Sequence, residues 1–247
     1  MSEPVDNHIQ EFPFKNWERE FLELPNLGLS HIEWIVTEKS FNNKMLDLNV
    51  KKYSNSISSV CCDHIISESI KDRKFLDERL VPICRWSLEN NINSVTIPFL
   101  EWSKINSENK EVVFNNFYHY GSMFSDIIFN FEFESDIELC LELVKSKNNF
   151  RLVFDTGNIT SSGFDYDNWI KKGIKYINHV HLKDRTKNPI KTVEPLMGDT
   201  NFKGIFDLLK KFEYNSYYTI QTCRGQSGQE IETIKKHINI FSKIHES

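Results

Sequence analysis

Short runs rich in Ile, Val and Phe alternate along this chain with longer segments of helical periodicity, and that alternation constrains the fold more than any other feature. The strand-like runs fall at about 31–36, 56–63, 94–99, 126–134, 150–155, 177–183 and 217–222. Phe14, Trp17, Phe21 and Leu24 recur at helical spacing ahead of a C-cap glycine, Gly28. Leu76, Leu80, Ile83 and Leu88 form the apolar stripe of a helix over 68–90. Further helices are expected over 108–124, in ESDIELCLELVKS, YDNWIKKGI and FKGIFDLLKKFEY, and from about Glu230 to His245. Strands that alternate with helices through short connections form parallel βαβ units. Their apolar character fits strands covered on both faces.

No linker, repeat or low-complexity segment interrupts the pattern, so a single domain over 1–247 is expected. A chain of 247 residues is the usual size of one (β/α)8 barrel. Seven strands are counted, and the chain opens into the loop that would follow a first strand. The expectation is therefore an α/β, (β/α)8-type TIM barrel whose first strand is missing, either because the start lies upstream or because the barrel lacks one stave. An open barrel has two sheet edges, which invite association. A homo-oligomer is among the expected states.

Composition removes several function classes. The net charge of −5 argues against a nucleic-acid-binding surface, which is normally basic, although a local basic pocket for a phosphorylated metabolite is compatible with it. No apolar run approaches the ~18 residues of a membrane span. The opening MSEPVDNHIQEF has no apolar h-region, so no secretory signal is expected. Cys61, Cys62, Cys84, Cys140 and Cys223 show neither zinc-knuckle spacing nor a disulfide framework. Reduced thiols in a cytoplasm are the expectation. The chain has no alanine, which weakens helix propensity throughout.

The chemistry is concentrated at the C-terminal ends of the strands. In INHVHLKDR, residues alternate between faces, so His179, His181 and Lys183 point one way. Two imidazoles and an amine on one strand face are poor core material, although a His pair satisfied by polar neighbours would read the same. Polar groups recur at the other strand ends: Glu33; Asp63 and His64; Glu132 and Glu134; Asp155, with Asn158 beyond it; and Gln221, with Cys223 and Arg224 beyond it. A lone Asp before Thr-Gly-Asn is most often a turn cap, but recurrence on strand after strand points to one ligand-binding mouth. Glu33, Asp63 and Arg224 are candidate substrate contacts there. Carboxylates with one imidazole suit Mn²⁺, Zn²⁺ or Mg²⁺. Such an ion polarises a carbonyl while a carboxylate takes a proton from the next carbon. That is the chemistry of sugar isomerisation and epimerisation.

These residues resemble the xylose-isomerase-like TIM barrels, the sugar phosphate isomerase/epimerase superfamily. The segments that carry the resemblance are LGLSHIEWI, SVCCDHI, VTIPF, FEFESDI, LVFDTGN, INHVHLKDR, LMGDTNF and YTIQTCRG, in the family's order and over nearly the whole chain. Asp155 with its turn to Asn158, and HVHLKDR, are the most specific. The nearest members are similar to L-ribulose-5-phosphate and hexulose-6-phosphate 3-epimerases or isomerases. The resemblance implies four ligands for a divalent metal, Glu134, Asp155, His181 and Gln221. Glu134 is preferred to Glu132 because ESDI matches the family's Glu, small polar residue, Asp and aliphatic residue. It further implies that Asn158 touches substrate and that Lys183 and Arg185 contact substrate oxygens or a phosphate.

Two departures stand out. The family usually has Glu where this chain has Gln221, and an amide oxygen ligates a metal but carries no proton. Glu134 is then the one obvious base, which favours single-base aldose–ketose isomerisation over two-base epimerisation, with Asp63 able to fill the gap. The family's opening strand is also missing, which together with Gln221 implies impaired activity. The expected function is a metal-dependent isomerase or epimerase of a small sugar or sugar phosphate, with Glu134 and Gln221 as its catalytic pair and no nucleic-acid or membrane partner. The alternatives are a polyol dehydratase on the same scaffold and a degenerate, non-catalytic sugar-binding paralogue. A nuclease like the apurinic-site endonucleases would need more His and Asp ligands and a basic groove.

Overall fold

The computed structural model describes residues 16–66, 70–226 and 228–247. They fall into two compact units. The first comprises residues up to Phe133 together with 143–151; the second comprises 134–142 and residues from Leu152 on.

The first unit contains α1 (Trp17–Glu23), β1 (Ile32–Ile35), α2 (Glu38–Asn42), β2 (Ile57–Cys61), α3 (Arg73–Glu89), β3 (Ser94–Phe99), α4 (Lys110–Met123) and β4 (Ile128–Phe133). Strands β1 to β4 pair in sequence order, all parallel. The expected first helix ends at Glu23 and continues as a 3-10 turn over Pro25–Leu27. Gly28 terminates it at φ 67°, a conformation that costs glycine no Cβ clash. Phe14 lies outside the described residues. Helix α3 starts later than expected, at Arg73, because the Asp72 side chain caps it by accepting from the Lys74 amide.

One face of β3 and β4 is aromatic and apolar. Phe99, Phe117 and Phe131 have ring centroids 5.2 Å apart in each pair, and Phe131 meets Phe150 edge-on at 5.0 Å. The alternate positions form a buried polar face. Thr96 donates to Glu33 Oε1 at 2.7 Å, and its hydroxyl meets that of Ser59 at 2.8 Å. Asn130 donates to Ser94 at 2.8 Å. Strands with helices on one side and hydroxyls, an amide and a carboxylate on the other fit a barrel wall whose polar groups are buried and satisfied by one another.

The second unit contains α5 (Ile137–Val144, up to Glu142), β5 (Phe150–Asp155, from Leu152), α6 (Thr156–Ser161), α7 (Tyr166–Gly173), β6 (Ile177–Leu182), β7 (Asp184–Lys187), β8 (Ile190–Val193), α8 (Phe202–Lys211), β9 (Tyr217–Ile220) and α9 (Glu230–Glu246). β5, β6 and β9 are parallel neighbours in that order. With β1 to β4 they make the seven parallel strands expected from the sequence, each within a few residues of its predicted bounds.

The stretch after β6, expected as a loop, is instead an antiparallel ribbon, β7 with β8. Its anchor is Asp184, fully buried, which accepts from the Gly198 amide at 2.9 Å and the Thr200 amide at 3.2 Å. The expected turn after Asp155 is the short helix α6. Trp169 of α7 is buried against Phe154 at 5.4 Å and donates to the Ser135 carbonyl. No helix among the described residues is long and apolar enough to cross a membrane.

Candidate functional site

β5 ends at Asp155, whose two carboxylate oxygens have different neighbours. Oδ1 accepts from the Asn158 amide at 2.7 Å and so caps α6. Oδ2 lies 3.0 Å from Lys183 Nζ and 4.0 Å from His181 Nδ1. Strand register explains the meeting, since Asp155 and His181 are Cα partners across β5 and β6. Asp155 is 1% exposed and His181 fully buried, and only 12% of the Lys183 side chain reaches solvent. Burial pushes the Asp155 carboxyl up. The Lys183 ammonium, His181 and the Asn158 amide together more than offset it and hold Asp155 below its ordinary value.

Lys183 is delivered by a main-chain clamp. The Thr156 hydroxyl accepts from the Lys183 amide at 2.9 Å and donates to the Lys183 carbonyl at 2.6 Å. The start of α6 and the end of β6 are thereby locked together. Sequence reading did not single out Thr156; its signal was a hydroxyl directly after a strand-end aspartate.

A second set of contacts joins Asn158, Arg185 and Glu134. Arg185 Nη1 donates to Asn158 Oδ1 at 2.9 Å and lies 3.4 Å from both Glu134 Oε1 and Ser161 Oγ. Asn158 is 1% exposed, so its side chain is a fixed bracket for the guanidinium. Gln221 continues the β9 ladder, its amide donating to the Leu182 carbonyl at 3.1 Å. Register pairs His181 with Thr219, and alternation puts Gln221 on that same face. Gln221 Oε1 is buried and accepts no hydrogen bond among the described residues. Arg224 is half-buried in the irregular segment between β9 and α9.

The first unit carries the remaining candidates. Glu33 on β1 accepts from Thr96, and Asp63 opens the 3-10 turn that follows β2. Glu132 lies within β4 and is 2% exposed, whereas Glu134 follows the end of that strand. Buried side chains of metal-ligating type thus occur on three successive strands, Glu132 on β4, Asp155 on β5 and His181 on β6, and those of Asp155 and His181 offer ligand atoms within 4.8 Å of one another.

The crystal structure of D-psicose 3-epimerase with D-tagatose from Clostridium cellulolyticum H10 aligns with a TM-score of 0.73 at 11% identity, over 98% of this chain and 96% of that one. That of IOLI protein with a binding zinc atom aligns at 0.69 and 18% identity, over 92% and 93%. At these identities the likeness is one of fold. The inosose dehydratase of Clostridium perfringens is 28% identical over 35% of this chain and 34% of its own length. The chain thus spans about a third of the length of the curated relatives it matches. The pattern of one family matches residues 116–244, more than half of the sequence, and the chain belongs to that family, the xylose isomerase-like TIM barrels.

Proposed function

We propose that this chain is a metal-dependent isomerase or epimerase of a sugar or sugar phosphate, moving a proton on a carbon next to a carbonyl. The observation that carries the reading is the buried Asp155–His181 pair, with Asp155 Oδ1 spent on a helix cap and Oδ2 left to face cations. The buried Gln221 Oε1, which accepts no hydrogen bond among the described residues, supports it, because such an acceptor is costly unless something binds it. An aspartate oxygen, an imidazole nitrogen, an amide oxygen and a glutamate form a donor set that suits Mn²⁺, Zn²⁺ or Mg²⁺. The glutamate is Glu134, which shares their compact unit, and a Glu134→Gln variant tests it by metal content. Bound here, the ion supplies Lewis-acid polarisation of the carbonyl or of adjacent sugar oxygens.

The chain's own residues do the rest. Glu134, braced by Arg185, takes the proton from the carbon beside the carbonyl and returns it to the neighbouring carbon. Arg185 and Asn158 brace one another and face the substrate's oxygens. Lys183 holds Asp155 ionised. Gln221 offers an oxygen but no proton, so a single-base transfer on one face of an enediol is favoured over two-base epimerisation. Arg224 is a further substrate contact.

A second reading has its own support, the similarity to inosose dehydratases. The same proton removal, followed by departure of a hydroxyl from the next carbon, makes the enzyme a lyase. Metal-loaded protein in D₂O with a panel of ketoses, ketose phosphates and inososes separates the two. Deuterium incorporation with product mass otherwise unchanged supports isomerisation, and loss of water supports the lyase. Absence of bound metal, exchange and turnover overturns both.

A further inference from the structure

We propose that Lys183 is a built-in counter-cation that competes with the metal for Asp155 and keeps metal binding weak and exchangeable. This inference rests on the metal site of the proposed function and adds a control on its affinity.

The two oxygens of Asp155 are not equivalent. Oδ1 is committed to the Asn158 amide, so Oδ2 is the oxygen left for a cation, and Lys183 Nζ is 3.0 Å from it. His181, the other side chain of the proposed site on these strands, approaches the same Oδ2 to 4.0 Å. A cation shared by Asp155 and His181 therefore has to be accommodated beside, or in place of, the ammonium.

The lysine is placed there by its main chain. Thr156 clamps both its amide and its carbonyl, and Gly157 leaves room for its stem. Its flexible four-carbon stem ends in a compact charge that can swing away while the backbone stays fixed. A fully buried carboxylate without a cation is strongly disfavoured, and Lys183 removes that penalty when no metal is bound. The same ammonium repels an arriving divalent ion at short range in a poorly screened site. One lysine thus stabilises the metal-free protein and weakens the metal-bound one.

The test is Mn²⁺ binding to the full chain, measured by calorimetry on wild type, Lys183→Met and Lys183→Arg. Lys183→Met keeps the stem and removes the charge; it is expected to bind Mn²⁺ at least about tenfold more tightly. Lys183→Arg keeps the charge and is expected to stay near wild type. Without metal, Lys183→Met melts at a lower temperature than wild type, and saturating Mn²⁺ restores more of the difference than it does in wild type. Should Lys183→Met not fold, Lys183→Gln replaces it with the same expectation. Wild type that binds Mn²⁺ while the Met or Gln variant binds it equally or more weakly overturns the inference and leaves the metal site standing. Wild type and the charge-removing variant both failing to bind Mn²⁺ overturns the metal site and the inference together.

Discussion

Gly157 runs so close to Lys183 that a Cβ placed on it would lie 2.8 Å from Lys183 Cγ and 3.0 Å from the Lys183 carbonyl oxygen. Arg185 Cγ would be 3.1 Å away. Gly157 is the second residue of α6, where helix propensity alone favours alanine by up to about 1 kcal/mol. The clash should outweigh that gain, because one obstacle is a carbonyl held by Thr156. Gly157→Ala is expected to destabilise the protein by about 1–3 kcal/mol, as overpacking does. Urea unfolding checks the sign. A stabilised Gly157→Ala would mean that the α6–β6 junction has slack.

His64 makes the fold sensitive to acid. It is 3% exposed, stacks on Phe41 at 4.8 Å and meets the Arg79 carbonyl at 3.2 Å through Nε2. Burial is the main reason its pKa falls from 6.5 to about 4. A histidine depressed in this way is neutral in the folded chain and protonated in the unfolded one between those two values. The unfolded state therefore binds more protons there, and stability falls as the pH drops through 6.5 towards 4. The loss from this residue is about 3 kcal/mol over the window. His64→Gln should reduce the stability difference between near-neutral pH and the acid end of that window by about this amount, read by denaturant unfolding at both. An unchanged difference would show that His64 has room to protonate in place.

Asp155 and Lys183 form a pair with little access to water. Removing either charge leaves the other buried, which costs about 3–5 kcal/mol in such pairs. Asp155→Asn retains a good N-cap residue for α6, so its loss reports the charge and not the cap. In metal-free protein, Asp155→Asn and Lys183→Met are each expected to destabilise by a few kcal/mol, on the order of that range, and the double variant by less than their sum. Additive losses would mean that the 3.0 Å contact carries no coupling.

The strand–helix alternation made the seven parallel strands legible, because Val, Ile and Phe runs bounded by polar turns have few other uses. The facing of His179, His181 and Lys183 followed from alternation alone, and the register pairs Asp155 with His181 across β5 and β6. What the sequence hid is tertiary. The β7–β8 ribbon depends on Asp184 reaching the amides of Gly198 and Thr200, contacts 14 and 16 residues away that no local pattern encodes. Thr156 and Gly157 read as ordinary turn residues, and only their approach to Lys183 gives them a task. The two glutamates of FEFE are alike by alternation, whereas Glu132 is buried within β4 and Glu134 follows it beside Arg185.

Gln221 is the amide of the proposed ligand set, and replacing it with an acid tests its place. Its Oε1 is buried and accepts no hydrogen bond among the described residues, so a glutamate there would bring a charge into an enclosed position. Gln221→Glu is therefore expected to lower the melting temperature of the metal-free protein. It raises the carboxylate count of the proposed ligand set from two to three, which should tighten Mn²⁺ binding by about tenfold or more. It also adds a group that can carry a proton, so solvent deuterium should enter ketose substrates faster than in wild type. Calorimetry and deuterium exchange read the two effects separately. A variant that gains affinity without exchange makes Gln221 a ligand position with no part in proton transfer. One that gains neither would remove residue 221 from the site, leaving Asp155, His181 and a glutamate as its ligands.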